Sequence, residues 1–312
     1  MATRRAVGLM EFGGPEVLQV VEVPATYPAP GEVVIEVAAA AVNPTDTVMR
    51  AGVRQRPWWD PPYIPGMDAA GTVVATGAGV ELQVGTQVMA AVMPRRPEGG
   101  AYAERITVPA AQAIEIPEGV TIEQAATLPM NGITAKIALD ALDLRPGQTF
   151  GVTGAAGVLG GYAIGLAADR GLRVVADARP DDEALVRSFG AHVIVARGDG
   201  VGERMRKATG GGVDGLLDGA VQNAEVLAGV RDGGGIAAVR KFRGEPERGI
   251  VVHQIMVADH LDDRTALTLL RDLAGKGDIA LRVAGTFAPQ DAAEAHRRFE
   301  QGGVRGRFVI TF

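Results

Sequence analysis

The chain has 312 residues, enough for two domains with separate cores, and with 47% hydrophobic and 22% charged residues it reads as globular rather than disordered. A net charge of -6 gives no general attraction to nucleic acid or to an anionic membrane, and no basic stripe interleaved with aromatics is present. There is no cysteine, which excludes disulfides, a thiol nucleophile and cysteine-ligated zinc or iron–sulfur sites. Apolar runs are broken by charge or glycine well short of a bilayer span, and residues 6–9 are too short for a secretory signal. A cytoplasmic protein with no membrane attachment is the expectation.

In chain order, short alternating segments at residues 17–23, 32–37, 71–77, 86–92 and 102–108 predict strands between turn-forming residues, hence a β-rich, barrel-like domain. The rhythm changes near Thr121. Residues 122–142 have helical spacing, with a break expected at Asn131-Gly132. A buried-type strand at 148–153 opens a series with strands at 172–176, 192–196, 215–218, 235–239 and 250–257. Helices are expected between them at 158–170, 181–189, 202–209 and 223–231. Such a βαβ series predicts a mostly parallel, doubly wound sheet. The C-terminal part reads as helix 263–274, strand 281–287, helix 290–300 and strand 307–312. The expected division is residues 1–122 completed by 261–312, and residues 123–260.

The sharpest local signal is the turn Val152-Thr153-Gly154-Ala155-Ala156-Gly157-Val158-Leu159-Gly160. It follows a strand, opens a helix and is succeeded by a second strand, the context of a dinucleotide-binding turn. Gly157 and Gly160 occupy the second and third glycine positions, and Ala155 replaces the first. The second lets the backbone approach a pyrophosphate, and the third lets helix and strand pack closely. A plain structural turn is the alternative. Past the next strand, Asp177-Ala178-Arg179 carries both chemistries that read the adenosine ribose. A carboxylate favours NADH by accepting from the ribose hydroxyl, and an arginine can hold the 2′-phosphate of NADPH. Their ordinary readings are a helix cap and a solvated loop residue. NADPH is expected, with NADH possible.

Over nearly its full length the chain resembles the zinc-free, quinone oxidoreductase-like branch of the medium-chain dehydrogenase/reductase superfamily. The likeness rests on residues 12–18, similar to the branch's first hairpin, on Asn43-Pro44-Thr45-Asp46, on Pro65-Gly66-Met67-Asp68-Ala69-Ala70-Gly71 and on Gly99-Gly100-Ala101-Tyr102-Ala103-Glu104. Ala125-Ala126-Thr127-Leu128-Pro129, Gly132-Ile133-Thr134-Ala135, the glycine turn and Gly306-Arg307-Phe308-Val309-Ile310 follow in the branch's order. The resemblance implies an α/β protein with a GroES-like β-barrel domain, an inserted Rossmann doubly wound parallel sheet, and a homodimer. It implies an NADPH-dependent enzyme reducing a quinone or an enone.

By the same resemblance Asn43 would lie beside the nicotinamide, and Met130 and Thr134 would contact the cofactor. Gly219, Ala220, Val239 and Arg240 mark where the family's backbone approaches the nicotinamide half, and Arg307 matches a basic position near a cofactor phosphate. Asp46 would help fix the Asn43 segment or simply cap a helix. Tyr63 is the nearest phenol that could donate a proton, or a packing residue. The zinc alcohol dehydrogenases of the superfamily carry cysteine where this chain has Asn43 and histidine where it has Met67, and their structural-zinc loop is missing between Val92 and Gly99. The four histidines, His192, His253, His260 and His296, lack metal-ligand spacing and read as surface or packing residues. Without a metal to polarise an isolated ketone, a substrate that spreads its charge is favoured. An enoyl-thioester reductase and a non-catalytic NADPH-binding protein are the alternatives. The segment from Arg54 to Pro61, with Trp58 and Trp59, reads equally as an aromatic wall over a planar substrate or as a hydrophobic plug.

Overall fold

The computed structural model describes residues 2–53 and 60–312. Strands β1 (Thr3–Gly8), β2 (Gln19–Pro24) and β3 (Glu32–Ala41) lead into helix α1 (Pro44–Arg50). Next come β4 (Asp68–Thr76), β5 (Gln87–Ala91), β6 (Arg105–Pro109), β7 (Ala113–Glu115), α2 (Ile122–Ala125) and α3 (Pro129–Leu142). The alternating series is β8 (Thr149–Thr153), α4 (Val158–Asp169), β9 (Arg173–Ala178), α5 (Glu183–Ser188), β10 (Val193–Ala196), α6 (Val201–Thr209), β11 (Val213–Asp218), β12 (Val230–Ala238) and β13 (Val251–Gln254). The chain closes with α7 (Arg264–Lys276), β14 (Val283–Phe287), α8 (Ala292–Glu300) and β15 (Arg307–Thr311).

Three expectations need correction. Residues 12–18 are not themselves a hairpin: β1 pairs with β2, and they form the connection between them. The break in the helical stretch falls before Pro129 rather than at Asn131-Gly132, which are buried inside α3. Proline lacks the N–H that a first helical turn leaves unpaired, so it starts this helix. The helix expected at 223–231 is a short 3-10 turn, Asn223–Gly229, followed directly by β12. Asn223 stands at φ 57° and its N–H goes to Asp218, so the chain enters the segment in a left-handed turn.

Contact grouping gives two units: Met1–Met130, Leu261–Gly275 and Leu281–Phe312, and Asn131–His260 with Lys276–Ala280. The division thus falls after 130 rather than after 122. The Met130 N–H donates to Asp68 at 2.6 Å, holding the first residues of α3 in the first unit. That unit contains a seven-stranded sheet in the order β14-β15-β3-β4-β5-β7, with β6 on β3, besides the β1–β2 pair. Its core gathers inward residues such as Val33, Ile35, Val73, Val88, Tyr102 and Ile310.

The second unit's sheet runs β10-β9-β8-β11-β12-β13, all parallel. Numbered within the sheet this is 3-2-1-4-5-6, whose order reverses between β8 and β11, the place where such sheets take ligands. Helix α4 is buried almost throughout, and Gly165 in it faces the carbonyl of Asp278, 2.6 Å from where a Cβ would stand. No helix among the described residues is long and apolar enough to cross a membrane.

Gly71 allows β3 and β4 to approach: a Cβ there would lie 2.0 Å from the Glu36 carbonyl oxygen. Gly71→Ala should lower the unfolding free energy by about 1–3 kcal/mol through overpacking. Gly211, with nothing within 4 Å of its Cβ position, should tolerate alanine within about 0.5 kcal/mol. Denaturant titrations of the two variants test this; equal midpoints would contradict the packing argument.

Candidate active site

In the first unit the site is built at the end of β3. Asn43 is extended (φ -114°, ψ 157°), Pro44 begins α1 and Asp46 is its third residue. The Asp46 carboxylate caps the helix start by accepting from the Asn43 N–H at 2.8 Å, and its other oxygen accepts from the Gly66 N–H at 3.0 Å. Gly66 stands at φ +105°, and a Cβ there would meet Ala101 and Tyr102 within 2.8 Å, so only glycine brings this N–H to Asp46. Asp68, the first residue of β4, holds the other side of the same asparagine. Its Oδ2 accepts from Asn43 Nδ2 at 2.7 Å and its Oδ1 from the Met130 N–H. Both carboxyls are fully buried, and burial pushes each up to about 7.

A chain of side chains runs on from Asp46. The Tyr102 hydroxyl lies 3.3 Å from Asp46 Oδ2 and 3.1 Å from His296 Nε2. His296 Nδ1 lies 3.2 Å from an Arg50 NH1, and Arg50 pairs with Glu300 at 2.6 Å. Tyr102, His296 and Arg50 are all buried. His296 therefore departs from expectation: it is a bonded member of this chain rather than a surface or packing residue. Burial and the neighbouring Arg50 push its ring down to about 3.

Tyr63 pairs with Leu9 through its backbone and stacks on Phe12 with ring centroids 4.4 Å apart. Arg307 is buried, its guanidinium 5.6 Å from the Phe299 ring centroid, and its charge lowers both Asp46 and Asp68. Met130 is buried and Thr134 half-buried. Trp58 and Trp59 lie outside the described residues. Sequence reasoning missed the roles of Asp68, Tyr102, His296 and Arg50. Asp68 and Tyr102 sat inside quoted motifs, but no local pattern could pair them with residues on α1 and α8.

The second unit holds the glycine turn. Gly154 is left-handed at φ +70°, and the Gly157 N–H returns to its carbonyl at 3.0 Å. Gly157 is the N-cap of α4, and a Cβ on Gly160 would stand 2.5 Å from the Gly154 oxygen. The turn is thus a tight backbone cradle at a helix N-terminus, with Ala155, Ala156, Val158 and Leu159 completing it, and it suits an anionic dinucleotide. Asp177 turns toward this cradle, accepting from the Ala155 N–H at 3.0 Å. Its second oxygen is buried with no hydrogen-bond partner. Ala178 is buried next to it and Arg179 is exposed. At the end of β11, Asp218 accepts from the Thr153 hydroxyl at 2.9 Å and from the N–H groups of Gln222 and Asn223. The Ala220 N–H reaches the Thr153 hydroxyl at 3.2 Å. These bonds hold the turn containing Gly219 and Ala220. Val239 and Arg240, after β12, are half-buried.

Zinc does not suit the donors of the first unit's site. Asn43 offers an amide and Met67 a thioether, neither a usual zinc ligand. Among the described residues no group of three or more His, Asp or Glu is placed to hold a metal ion.

The buried imidazole has a consequence for stability. An unfolded histidine takes its proton near 6.5 and His296 only near 3, so acidification between these values favours the unfolded chain. His296→Gln, which can still accept from Arg50 and donate to Tyr102, should lose less stability than the wild type as pH falls through about 6.5. Denaturant midpoints of both proteins on the acid side test this; parallel curves would contradict it.

The alcohol dehydrogenase GroES-like domain family matches residues 29–118, and the zinc-binding dehydrogenase family matches residues 189–310. The synaptic vesicle membrane protein VAT-1 homolog of Rattus norvegicus is 41% identical over 167 residues, 52% of this chain and 40% of that protein. A quinone oxidoreductase of Salmonella typhimurium is 34% identical over 220 residues, 68% of this chain and 63% of that one. In both cases the chain spans less than two thirds of the relative's length. The quinone oxidoreductase of Pseudomonas aeruginosa is 27% identical, with 96% of this chain and 97% of that protein covered. Among solved structures, mycobacterial Rv1454c complexed with NADPH superposes with a TM-score of 0.87 at 27% identity, covering 99% of this chain and 100% of that one. An alcohol dehydrogenase superfamily protein from Novosphingobium aromaticivorans gives 0.89 at 26% identity, with both chains fully covered. With the barrel strands, the parallel 3-2-1-4-5-6 sheet and the ordered motifs, these likenesses place the chain in the medium-chain dehydrogenase/reductase superfamily, as a quinone oxidoreductase-like member.

Proposed function

We propose that the chain is a zinc-independent reductase that moves a hydride from NADPH to a quinone or an α,β-unsaturated carbonyl. The observation that carries this reading is the bond from Asn43 to Asp68, beside Met67. By the resemblance, zinc alcohol dehydrogenases have metal ligands at these positions 43 and 67, where this chain has an amide and a thioether. The relatives named quinone oxidoreductase and the NADPH complex of a structural neighbour support it.

When bound, NADPH supplies the hydride, and every other task falls to the chain. The N–H groups at the start of α4, with the cradle of Gly154, Ala155, Ala156, Gly157, Val158 and Leu159, would hold its pyrophosphate. By the resemblance, Thr134, Gly219, Ala220, Val239 and Arg240 of the second unit would hold the cofactor's nicotinamide half, and Met130 and Arg307 are the first unit's candidates for contact with the cofactor. Asn43 is the candidate catalytic residue, an amide offered to the oxygen that gains charge. Hydrogen-bond donors suffice there because a quinone or enone delocalises that charge. Asp46 is a positioning residue through its grip on the Asn43 N–H. Tyr63, stacked on Phe12, borders the substrate, and the product takes its proton from solvent. Steady NADPH oxidation with a panel of quinones and enones, undiminished by chelators, is the expected result. Stoichiometric zinc with activity lost to chelation would contradict the zinc-free reading. Consumption with acyl-thioesters alone would favour the enoyl-thioester alternative, and no consumption a binding protein without turnover.

The preference for NADPH rests on Arg179. Asp177 spends one carboxylate oxygen on the Ala155 N–H and keeps the other buried, whereas Arg179 is exposed at the end of β9. A guanidinium there can take a 2′-phosphate through two charge-assisted bonds. Arg179→Ala should weaken NADPH binding roughly tenfold, about 1.4 kcal/mol, and leave NADH nearly unchanged. Selective loss of NADH binding in Asp177→Ala, with Arg179→Ala silent, would instead identify an NADH enzyme.

A homodimer joined along β13 completes the reading. β13 is an edge of the parallel sheet and Val251 on it is 53% exposed, an apolar edge that invites pairing. Light scattering at micromolar concentration should give twice the chain mass; a monomer would contradict it.

A further inference from the structure

The hydrogen bonds around Asp46 have only one consistent direction. Arg50 can only donate, so His296 Nδ1 is an acceptor and the ring's hydrogen sits on Nε2. Nε2–H therefore donates to the Tyr102 oxygen, and the Tyr102 hydroxyl is left to donate to Asp46 Oδ2. With the N–H groups of Asn43 and Gly66, Asp46 receives three donated bonds, which suits an ionised carboxylate and leaves little room for a carboxylic acid. Asp68 receives two, from Met130 and Asn43. The charge of Asp46 raises Asp68.

We propose that Asp68 carries the exchangeable proton of this buried carboxyl pair and is the positioning residue that sets which face of the Asn43 carboxamide is turned away from it. With Asp68 ionised, Asn43 Nδ2 points inward to Asp68 Oδ2, with the Ala41 carbonyl 3.5 Å away. The carboxamide oxygen then points away from Asp68. With Asp68 protonated on Oδ2, its O–H is itself a donor toward the amide, and the amide that accepts from it presents its oxygen inward and its N–H groups outward. The ionisable groups facing Asp68 are Asp46 from α1 and Arg307 from β15, with Tyr102 from the segment before β6 facing both carboxyls. His296 from α8 and Arg50 stand behind Tyr102. The consequence for reduction rests on the function proposed above: outward N–H groups stabilise charge on the substrate oxygen, so turnover falls as pH rises through the Asp68 midpoint.

The test is nuclear magnetic resonance of the Asn43 side-chain amide, which needs no turnover. In the full-length wild type its signals should titrate through the neutral range, and Asp68→Asn should abolish that titration. Tyr102→Phe removes one donor from Asp46, lets Asp46 compete for the proton and should move the midpoint to lower pH. Absence of titration in the wild type, its survival in Asp68→Asn, or an unmoved midpoint in Tyr102→Phe would each overturn the proposal. Should Asp68→Asn not fold, the wild type and Tyr102→Phe still decide. In turnover, kcat for an enone should lose its neutral-range pH break in Asp68→Asn; retention of the break would also overturn the proposal. A protein that turns over no quinone or enone refutes the function while the amide titration still tests the Asp68 assignment.

Discussion

A carboxyl group cut off from water must find donors or keep its proton, and Asp46 and Asp68 meet that condition on two sides of one asparagine. Asp46 holds the backbone of Asn43 and Asp68 its side chain. Asn43 is thus held by both its backbone and its side chain before any ligand arrives, as the proposed action of its amide on developing charge requires, and the state of Asp68 is proposed to set how that amide is turned. Several parts of the first unit serve the two carboxyls. Gly66 takes a backbone shape open only to glycine, Met130 brings the first turn of α3 to Asp68, and α8 contributes His296 behind Tyr102. Removing any of these donors leaves a buried charge less well met, a loss that exceeds the value of the bond itself.

The second unit uses the same device on its loops. Asp177 steadies the glycine turn through Ala155, and Asp218 steadies the turn after β11 through Thr153, Gln222 and Asn223. Both turns follow the strands between which the sheet order reverses or lie next to them, so the backbone groups offered to a ligand are set by carboxylates at strand ends rather than by the ligand. One Asp177 oxygen is committed in this way and the other has no partner, so the proposed preference for NADPH rests on the exposed Arg179 and not on exhaustion of this carboxylate.

Much of this was legible in the sequence because it was local. Period-two alternation marked the barrel strands, the βαβ rhythm marked the parallel sheet, and the glycine turn lay between β8 and α4 where its spacing put it. The helix expected at 223–231 failed because its start is governed by Asp218, a few residues upstream at a strand end, and not by the apolar spacing inside it. The Asp46 network was hidden for a stronger reason. Tyr102 lies 56 positions from Asp46, and His296 lies 194 from Tyr102. Nothing in the spacing of a lone histidine distinguishes a bonded, buried ring from one on the surface. Asn43 could be singled out from a motif, but what orients it could not.

The central claim is that an amide, not a metal, serves the oxygen that gains charge during reduction. Deuterium transfer from NADPH labelled at C4 of the nicotinamide to an enone, catalysed by chelator-treated protein of measured zinc content, tests it most directly. The account predicts deuterium on the enone's β-carbon at an undiminished rate with no zinc in the protein. Transfer that stops on chelation and returns with added zinc would contradict it.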